Sequence, residues 1–104
     1  MNISRISSQQ AKEKIDQGDC QLVDIRDPMS FSQYHIDGCA NLDSDNIPAF
    51  LEQADKSQPL LVFCYHGNSS QQAAAFFMQQ GFSDVHSVDG GMEMWRSQYP
   101  ETLA

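Results

Sequence analysis

Seven consecutive residues have the types and the spacing for cysteine chemistry. Cys64 directly follows an apolar run of four residues and precedes a turn that contains one glycine and ends in two serines; the loop after the cysteine comprises Tyr65, His66, Gly67, Asn68, Ser69 and Ser70. A helical pattern then begins at once. The cysteine thiolate is the nucleophilic form of this side chain, so the loop is a candidate site for nucleophilic attack by sulfur.

The position of Cys64 between a strand and a helix favours negative charge on the sulfur. Successive backbone N–H groups of a turn can form a nest for an anion, and the unpaired N–H groups of the following helix add to the same positive field. Gly67 permits turn conformations that a side chain forbids. Ser69 and Ser70 can cap the helix or donate hydroxyl hydrogen bonds into the nest. The loop is therefore suited to a thiolate and to an anionic substrate beside it.

The same pattern also fits an unreactive cysteine that serves as a small apolar side chain, and spacing alone does not choose between the two hypotheses. Cys20 and Cys39 lack such a loop, so we interpret them as structural. His66 lies two residues from Cys64 in a tight loop, which favours a place at the substrate rim over a role as general base. The three histidines show no metal-ligand spacing, and we predict no metal site.

Charge restricts the partners of the chain. Its 104 residues include 14 Asp and Glu against 6 Lys and Arg, for a net charge of -8. Nucleic acids and anionic membrane surfaces require a basic patch, and the six cations are scattered, so we expect neither partner. An anion can still bind a nest of neutral backbone dipoles.

Apolar runs and helical stripes alternate along the sequence and predict an α/β fold. Strands are predicted over 21–25, 39–42, 60–63 and 85–88, and helices over 7–17, 27–34, 45–54, 70–80 and from 91 onwards. Alternation of this kind indicates a central parallel β-sheet flanked by helices on both faces. No repeat or linker is visible, so residues 1–104 are predicted to form one domain.

Local signals refine these boundaries. Ser7 and Gln10 have the spacing of a capping box, and Asp27 is placed to cap a helix with a proline at its first position. The Gly-Gly pair at 90–91 predicts a turn beside the cysteine loop. Asp24 and Arg26, at the end of a strand, are interpreted as a structural ion pair.

The chain resembles the single-domain rhodaneses over nearly its whole length. Three stretches in order carry the resemblance: residues 23–41, with Val-Asp-Ile-Arg and then His-Ile-Asp-Gly-Cys-Ala-Asn; the loop 64–70; and residues 81–95, with Gly-Phe, Val-Asp-Gly-Gly and a tryptophan. The resemblance implies a rhodanese-like fold and thiosulfate sulfurtransferase activity. It implies that Cys64 carries a persulfide held by the backbone and hydroxyls of 65–70, and it implies no metal or organic cofactor.

Some residues depart from the family pattern. The loop has no Arg or Lys, where many rhodaneses carry a basic residue, so backbone N–H groups and serine hydroxyls must bind the anion. Tyr34 and Cys39 replace small residues in the first stretch. One alternative is a persulfide carrier or binding module in a sulfur relay. A less favoured one is a cysteine phosphatase or arsenate reductase, which would need an arginine closing the loop.

The expected partners are thiosulfate and a thiophilic acceptor, either cyanide or a small thiol or dithiol protein such as thioredoxin. The N-terminal residues show no apolar leader, and the longest apolar run, 60–64, is far short of the roughly 20 residues of a membrane helix. No C-x-x-C pair occurs among the three cysteines, which fits reduced thiols. We therefore expect a cytoplasmic protein that is a monomer or a weak dimer.

Overall fold

The computed structural model describes residues 3–104. Strands β1 to β5 are Ser4–Ile6, Gln21–Asp24, Ala40–Asn41, Leu60–Phe63 and Val85–Val88. Helices α1 to α5 are Ser8–Gln17, Pro28–Gln33, Ile47–Gln53, Ser69–Gln79 and Gly91–Gln98, and a short 3-10 helix follows at Pro100–Thr102. None of the helices in this range is both long and apolar enough to cross a bilayer.

The strands form one sheet in the order β1-β5-β4-β2-β3, with every neighbouring pair parallel. Strand β4 is central, and all four of its residues are buried. Because side chains alternate across a strand, Leu61 and Phe63 enter one core cluster while Leu60 and Val62 enter the other. The sheet is therefore covered on both sides, as an apolar run of this kind predicts.

Helices lie on both faces of the sheet, which confirms the predicted fold class. Ala11 of α1 and Trp95 of α5 belong to the cluster with Phe63. Phe77 of α4 belongs to the opposite cluster, against which Phe50 of α3 packs. All crossovers thus bring the carboxyl ends of the strands to one edge of the sheet, where α/β proteins bind ligands.

Strand β1 was not among the predicted strands. It has three residues, only Ile6 of them buried, and it lies at the sheet edge against residues 86–88 of β5. A segment this short and polar has no strand periodicity of its own. The capping box that follows is confirmed: the Ser7 hydroxyl accepts a hydrogen bond from the Gln10 amide at 3.1 Å, and the Gln10 side chain accepts one from the Ser7 amide at 2.9 Å.

The remaining boundaries shift by a few residues. Helix α3 begins at Ile47 and not at Asp45, because the Asp43 carboxylate accepts the amides of Asp45 and Asn46 and holds them in a turn. The predicted strand 39–42 is reduced to two residues. The predicted cap of α2 is confirmed, since Asp27 accepts the Ser30 amide at 3.0 Å.

Candidate functional site

The loop 64–70 lies at the carboxyl end of β4, between the ends of β5 and β2. Cys64 is buried, with 3% of its surface exposed. Its neighbours Tyr65 and His66 are exposed, as are Asn68 and Ser69, whereas Gly67 and Ser70 are buried. The sulfur thus lies at the floor of a loop whose rim faces solvent.

Three hydrogen-bonding groups converge on the Cys64 sulfur. The amide of Gly67 lies 3.0 Å from Sγ and the amide of Ser70 lies 3.3 Å from it. The Ser70 hydroxyl is 3.2 Å from the same sulfur. The two amides are donors, so negative charge on the sulfur would be met by two N–H groups. Of the loop amides expected to form a nest, those of Gly67 and Ser70 lie within hydrogen-bond distance of the sulfur.

The other loop residues do not bond to the sulfur. Within residues 3–104, no hydrogen bond joins Sγ to Tyr65, His66, Asn68 or Ser69. Ser69 and Ser70 do not cap α4 either, because the residue at the cap position is Asn68 and its side chain makes no capping bond. The Ser70 hydroxyl instead faces Cys64 and accepts a hydrogen bond from its thiol, whereas Ser69 is exposed.

Gly67 is required by the packing behind the loop. Its φ of +88° lies in the left-handed region that favours glycine. A β-carbon at this position would also lie 2.8 Å from the Gly90 amide nitrogen and 3.1 Å from the Val88 carbonyl oxygen. The loop therefore rests directly on the backbone that leads from β5 to α5.

The first turn of α5 supports the cysteine from the same side. The amide of Met92 donates to the Cys64 carbonyl at 2.7 Å, and the amide of Glu93 donates to the Tyr65 carbonyl at 3.0 Å. Free N–H groups at a helix start are thereby satisfied by the loop. The prediction that the Gly-Gly pair forms a turn beside the cysteine loop is confirmed.

The Asp24–Arg26 ion pair is confirmed as well. Both side chains are fully buried, and Arg26 Nη2 lies 2.7 Å from Asp24 Oδ2. Arg26 Nε contacts both carboxylate oxygens at 3.0 Å, and Nη2 also donates to the Tyr34 carbonyl at 2.7 Å. The guanidinium lies 4.7 Å from the centre of the Tyr34 ring. The pair therefore fixes the segment after β2.

Tyr65 makes a contact that sequence reasoning missed. Its hydroxyl bonds to the Asp27 carboxylate and to the Ser30 hydroxyl, the latter at 2.8 Å, and so ties the loop to the start of α2. Hydrogen bonds from the amide and hydroxyl of Ser30 lower the pKa of Asp27, which keeps this carboxylate an acceptor. The partners are 38 residues apart, and no local pattern reports such a contact.

Ser87 is a second residue that sequence reasoning missed. It lies on β5 and is fully buried, and its hydroxyl is 2.7 Å from the equally buried hydroxyl of Ser70. The available signal was a serine at a buried position of β5, since a buried hydroxyl needs a partner.

The other cysteines lie outside the loop. Cys39 is buried in the core, where desolvation and, secondarily, the Asp24 carboxylate raise the pKa of its thiol. Cys20 is half-buried, and desolvation raises its pKa as well. A raised pKa keeps a thiol protonated and unreactive, in keeping with the structural roles expected for both.

The chain is similar to known proteins along most of its length. The family model for the Rhodanese-like domain matches residues 7–98. Thiosulfate sulfurtransferase GlpE of Pseudomonas aeruginosa (strain LESB58) is 55% identical over 96 residues, which is 92% of this chain and 86% of the relative. The protein of the same name from Pseudomonas syringae pv. syringae (strain B728a) is 53% identical over 97 residues, 93% of this chain and 91% of the relative.

A solved structure shares the fold. Reduced Bacillus anthracis CoADR-RHD superposes with a TM-score of 0.82 at 24% identity; the match covers 98% of this chain and 18% of that much longer one. The fold, the order of the three sequence stretches and the family match agree, and the chain belongs to the family of rhodanese-like domains.

Proposed function

We propose that the protein is a thiosulfate sulfurtransferase with Cys64 as its nucleophile and the loop 64–70 as its substrate site. The observation that carries the proposal is the convergence of the Gly67 amide, the Ser70 amide and the Ser70 hydroxyl on the Cys64 sulfur. The names of relatives more than half identical to this chain support the choice of thiosulfate.

In the first half-reaction the Cys64 thiolate attacks the outer sulfur of thiosulfate. A bond forms between the two sulfurs, the original S–S bond of thiosulfate breaks, and its electron pair leaves with sulfite. Three negative charges stand on each side of this step, one on the enzyme and two on the small molecule. The product is a Cys64 persulfide whose charge lies on the outer sulfur.

In the second half-reaction an acceptor attacks that outer sulfur. With cyanide the products are thiocyanate and the Cys64 thiolate, because the persulfide bond breaks and its electron pair returns to Sγ. Such a double displacement splits one transfer into two easier steps. The charge lies on Sγ before the first step and returns to Sγ in the second, and the converging donors stabilise it there. Neither step requires a metal or an organic cofactor.

The proposed acceptors are cyanide in the test tube and a small thiol or dithiol protein, such as thioredoxin, in the cell. The loop that holds the buried sulfur has four exposed residues accessible to such a partner: Tyr65, His66, Asn68 and Ser69. We further propose that residues 1–104 act as one domain, as a monomer or weak dimer in the cytoplasm. The three free cysteines suit a reducing compartment.

The geometry disfavours a phosphatase or arsenate reductase. Those reactions need an arginine that clamps the oxygens of the oxyanion in two places. The loop contains no arginine. Arg26 is buried beside Tyr34, and its Nε and Nη2 already donate to Asp24 and to the Tyr34 carbonyl. Aryl phosphate hydrolysis that is lost in Cys64→Ser would instead support the phosphatase.

Turnover of thiosulfate and cyanide by wild type, Cys64→Ser and Cys20→Ser tests the proposal. Cys20→Ser makes the same chemical change outside the loop and is the matched control. We expect turnover to be abolished in Cys64→Ser and retained in Cys20→Ser. Retained activity in Cys64→Ser would refute the proposal.

The carrier alternative needs a separate comparison. A carrier would accept sulfur from a persulfidated donor protein much faster than from thiosulfate, whereas a sulfurtransferase turns over with thiosulfate itself. Rates of Cys64 persulfide formation from the two donors, measured on the same wild-type protein, separate these hypotheses.

A further inference from the structure

A chain of two buried hydroxyls leads from the Cys64 sulfur into the sheet. Cys64 Sγ and Ser70 Oγ are 3.2 Å apart, and Ser70 Oγ and Ser87 Oγ are 2.7 Å apart. Ser70 and Ser87 are both fully buried. We propose that Ser87 is a positioning residue, which orients the Ser70 hydroxyl so that its proton points at the sulfur whenever Cys64 is ionised.

Each hydroxyl has a single proton and can donate one hydrogen bond at a time. When Cys64 is a thiol, its S–H can donate to Ser70, and Ser70 then donates to Ser87. When Cys64 is a thiolate, it can only accept, so Ser70 must donate to the sulfur. The Ser70 oxygen then accepts the proton of Ser87, and the direction of the whole chain reverses with the charge on sulfur.

Ser87 matters energetically because both hydroxyls are buried. A hydroxyl that receives a hydrogen bond becomes a better donor, and this polarisation is strongest where the local dielectric constant is low. Without Ser87, the Ser70 oxygen would lose the partner that fixes its rotation. Ser70 could then point its proton away from Cys64, and the thiolate would lose part of its stabilisation.

The hydroxyl chain acts on the inner sulfur and not on the outer one. In the persulfide the negative charge has moved to the outer sulfur, so the chain stabilises the thiolate state more than the persulfide state. In the second half-reaction the Cys64 thiolate is the leaving group, and a better-stabilised thiolate leaves faster. Ser87 is therefore expected to aid the step in which the acceptor removes sulfur.

The inference depends on Cys64 being the nucleophile of the proposed function, but its first test does not require sulfur transfer. The rate at which iodoacetamide alkylates Cys64 is measured against pH, by the mass of the peptide that contains it, in wild type and Ser87→Ala. We expect Ser87→Ala to alkylate about fivefold more slowly at neutral pH and to reach the wild-type rate at alkaline pH. An unchanged pH profile would overturn the inference.

Two further variants test whether the hydroxyl acts through Ser70. Ser87→Ala introduced into Ser70→Ala should have no additional effect, since the residue between Ser87 and the sulfur is already gone. An equal decrease in both backgrounds would show that Ser87 acts by another route. Ser87→Thr keeps the hydroxyl and should keep the wild-type profile; alkylation as slow as in Ser87→Ala would overturn the inference.

Ser8→Ala is the matched control for folding. Ser8 is also a buried serine whose hydroxyl bonds to a side chain, that of Gln98, on a different part of the molecule. Cys64 in Ser8→Ala should be alkylated at the wild-type rate. Thermal unfolding of each variant establishes that it is folded at the assay temperature.

Sulfur transfer provides the second readout. With the persulfide formed beforehand, Ser87→Ala should release sulfur to cyanide about fivefold more slowly than wild type. If wild-type Cys64 alkylates readily yet never takes sulfur from thiosulfate, the proposed function fails and the role of Ser87 toward the thiolate stands. If sulfur transfers normally but Ser87→Ala matches wild type in both readouts, only the inference about Ser87 fails.

Discussion

Gly91 packs against Cys64 so closely that a β-carbon on Gly91 would lie 2.4 Å from the Cys64 carbonyl oxygen. The same carbonyl accepts the Met92 amide at 2.7 Å. The start of α5 and the backbone of Cys64 are thus in direct contact, and this contact fixes the position of the cysteine. The Gly-Gly pair acts on the site through packing and not through a ligand of its own.

Gly91→Ala should therefore displace the cysteine loop. The new methyl group meets backbone, which cannot move aside as a flexible side chain does, and the φ of +55° adds strain. We expect the free energy of unfolding to fall by about 2–4 kcal/mol and turnover to fall by more than about tenfold. Denaturant unfolding and thiosulfate–cyanide turnover measure the two effects.

Gly38→Ala provides the control for that substitution. Gly38 also has a positive φ, of +87°, but a β-carbon there meets nothing within 4 Å. In Gly38→Ala, backbone strain should lower the free energy of unfolding by about 1 kcal/mol, and turnover should be unchanged. Equal effects of the two substitutions would show that strain, and not contact with Cys64, explains the loss.

The buried ion pair gives a second prediction. Asp24→Asn leaves the Arg26 guanidinium buried without its counter-charge, which should lower the free energy of unfolding by about 3–5 kcal/mol. Asp89→Asn breaks the ion pair between Asp89 and Arg5, whose side chains are 42% and 56% exposed, respectively. It should lower the free energy of unfolding by less than about 1 kcal/mol. Denaturant titrations of both variants provide the comparison, and similar losses would contradict the assigned role of the buried pair.

The sequence predicted features whose cause is local. The capping box of Ser7 and Gln10, the Asp27 cap and the central strand each depend on residues within a few positions, so pattern and propensity report them. The turn of Cys64 was recognisable for the same reason. These features comprise most of the fold and the floor of the site.

Features that depend on distant partners were not predicted. Strand β1 forms because it pairs with β5, which lies about 82 residues later in the chain. The three residues of β1 have no strand pattern of their own. Tyr65 reaches Asp27, and Ser87 reaches Ser70, only once the sheet has brought them together. The sequence shows that each of these residues is polar or aromatic, but only the folded structure shows which residue it contacts.

Cys39 gives a prediction about pH. Its pKa in the folded protein is raised above the ordinary value of 9.0 by desolvation and by Asp24. When the pH rises above 9.0, the unfolded chain releases the Cys39 proton while the folded protein retains it. The contribution of Cys39 to stability is therefore present below about pH 9 and is lost as the pH rises. The free energy of unfolding should therefore fall with pH in this range.

Comparison with Cys39→Ala isolates that contribution. Under reducing conditions between about pH 8 and pH 10, wild type should lose stability more steeply than the variant, by up to about 1.4 kcal/mol per pH unit. Other groups that titrate in this range are common to both proteins. Parallel pH profiles would contradict the assignment.

Ionic strength should affect substrate capture. The chain has a net charge of -8, so its long-range field repels thiosulfate, whereas the groups that contact the sulfur are neutral dipoles. Salt shortens the Debye length to about 10 Å at 0.1 M and should lower the KM for thiosulfate when the added anion is bulky, as in sodium glutamate. Sodium sulfate at equal ionic strength should raise KM by competing for the loop. A KM that rises with both salts would contradict this account.

The mass of the Cys64 peptide after exposure to thiosulfate shows whether Cys64 carries the transferred sulfur. We expect thiosulfate to add one sulfur atom to this peptide in wild type and in Cys20→Ser, and cyanide to remove it as thiocyanate. Cys64→Ser should take up no sulfur. A wild-type protein that turns over thiosulfate without added mass at Cys64, or that carries the sulfur on Cys20 or Cys39, would contradict the account.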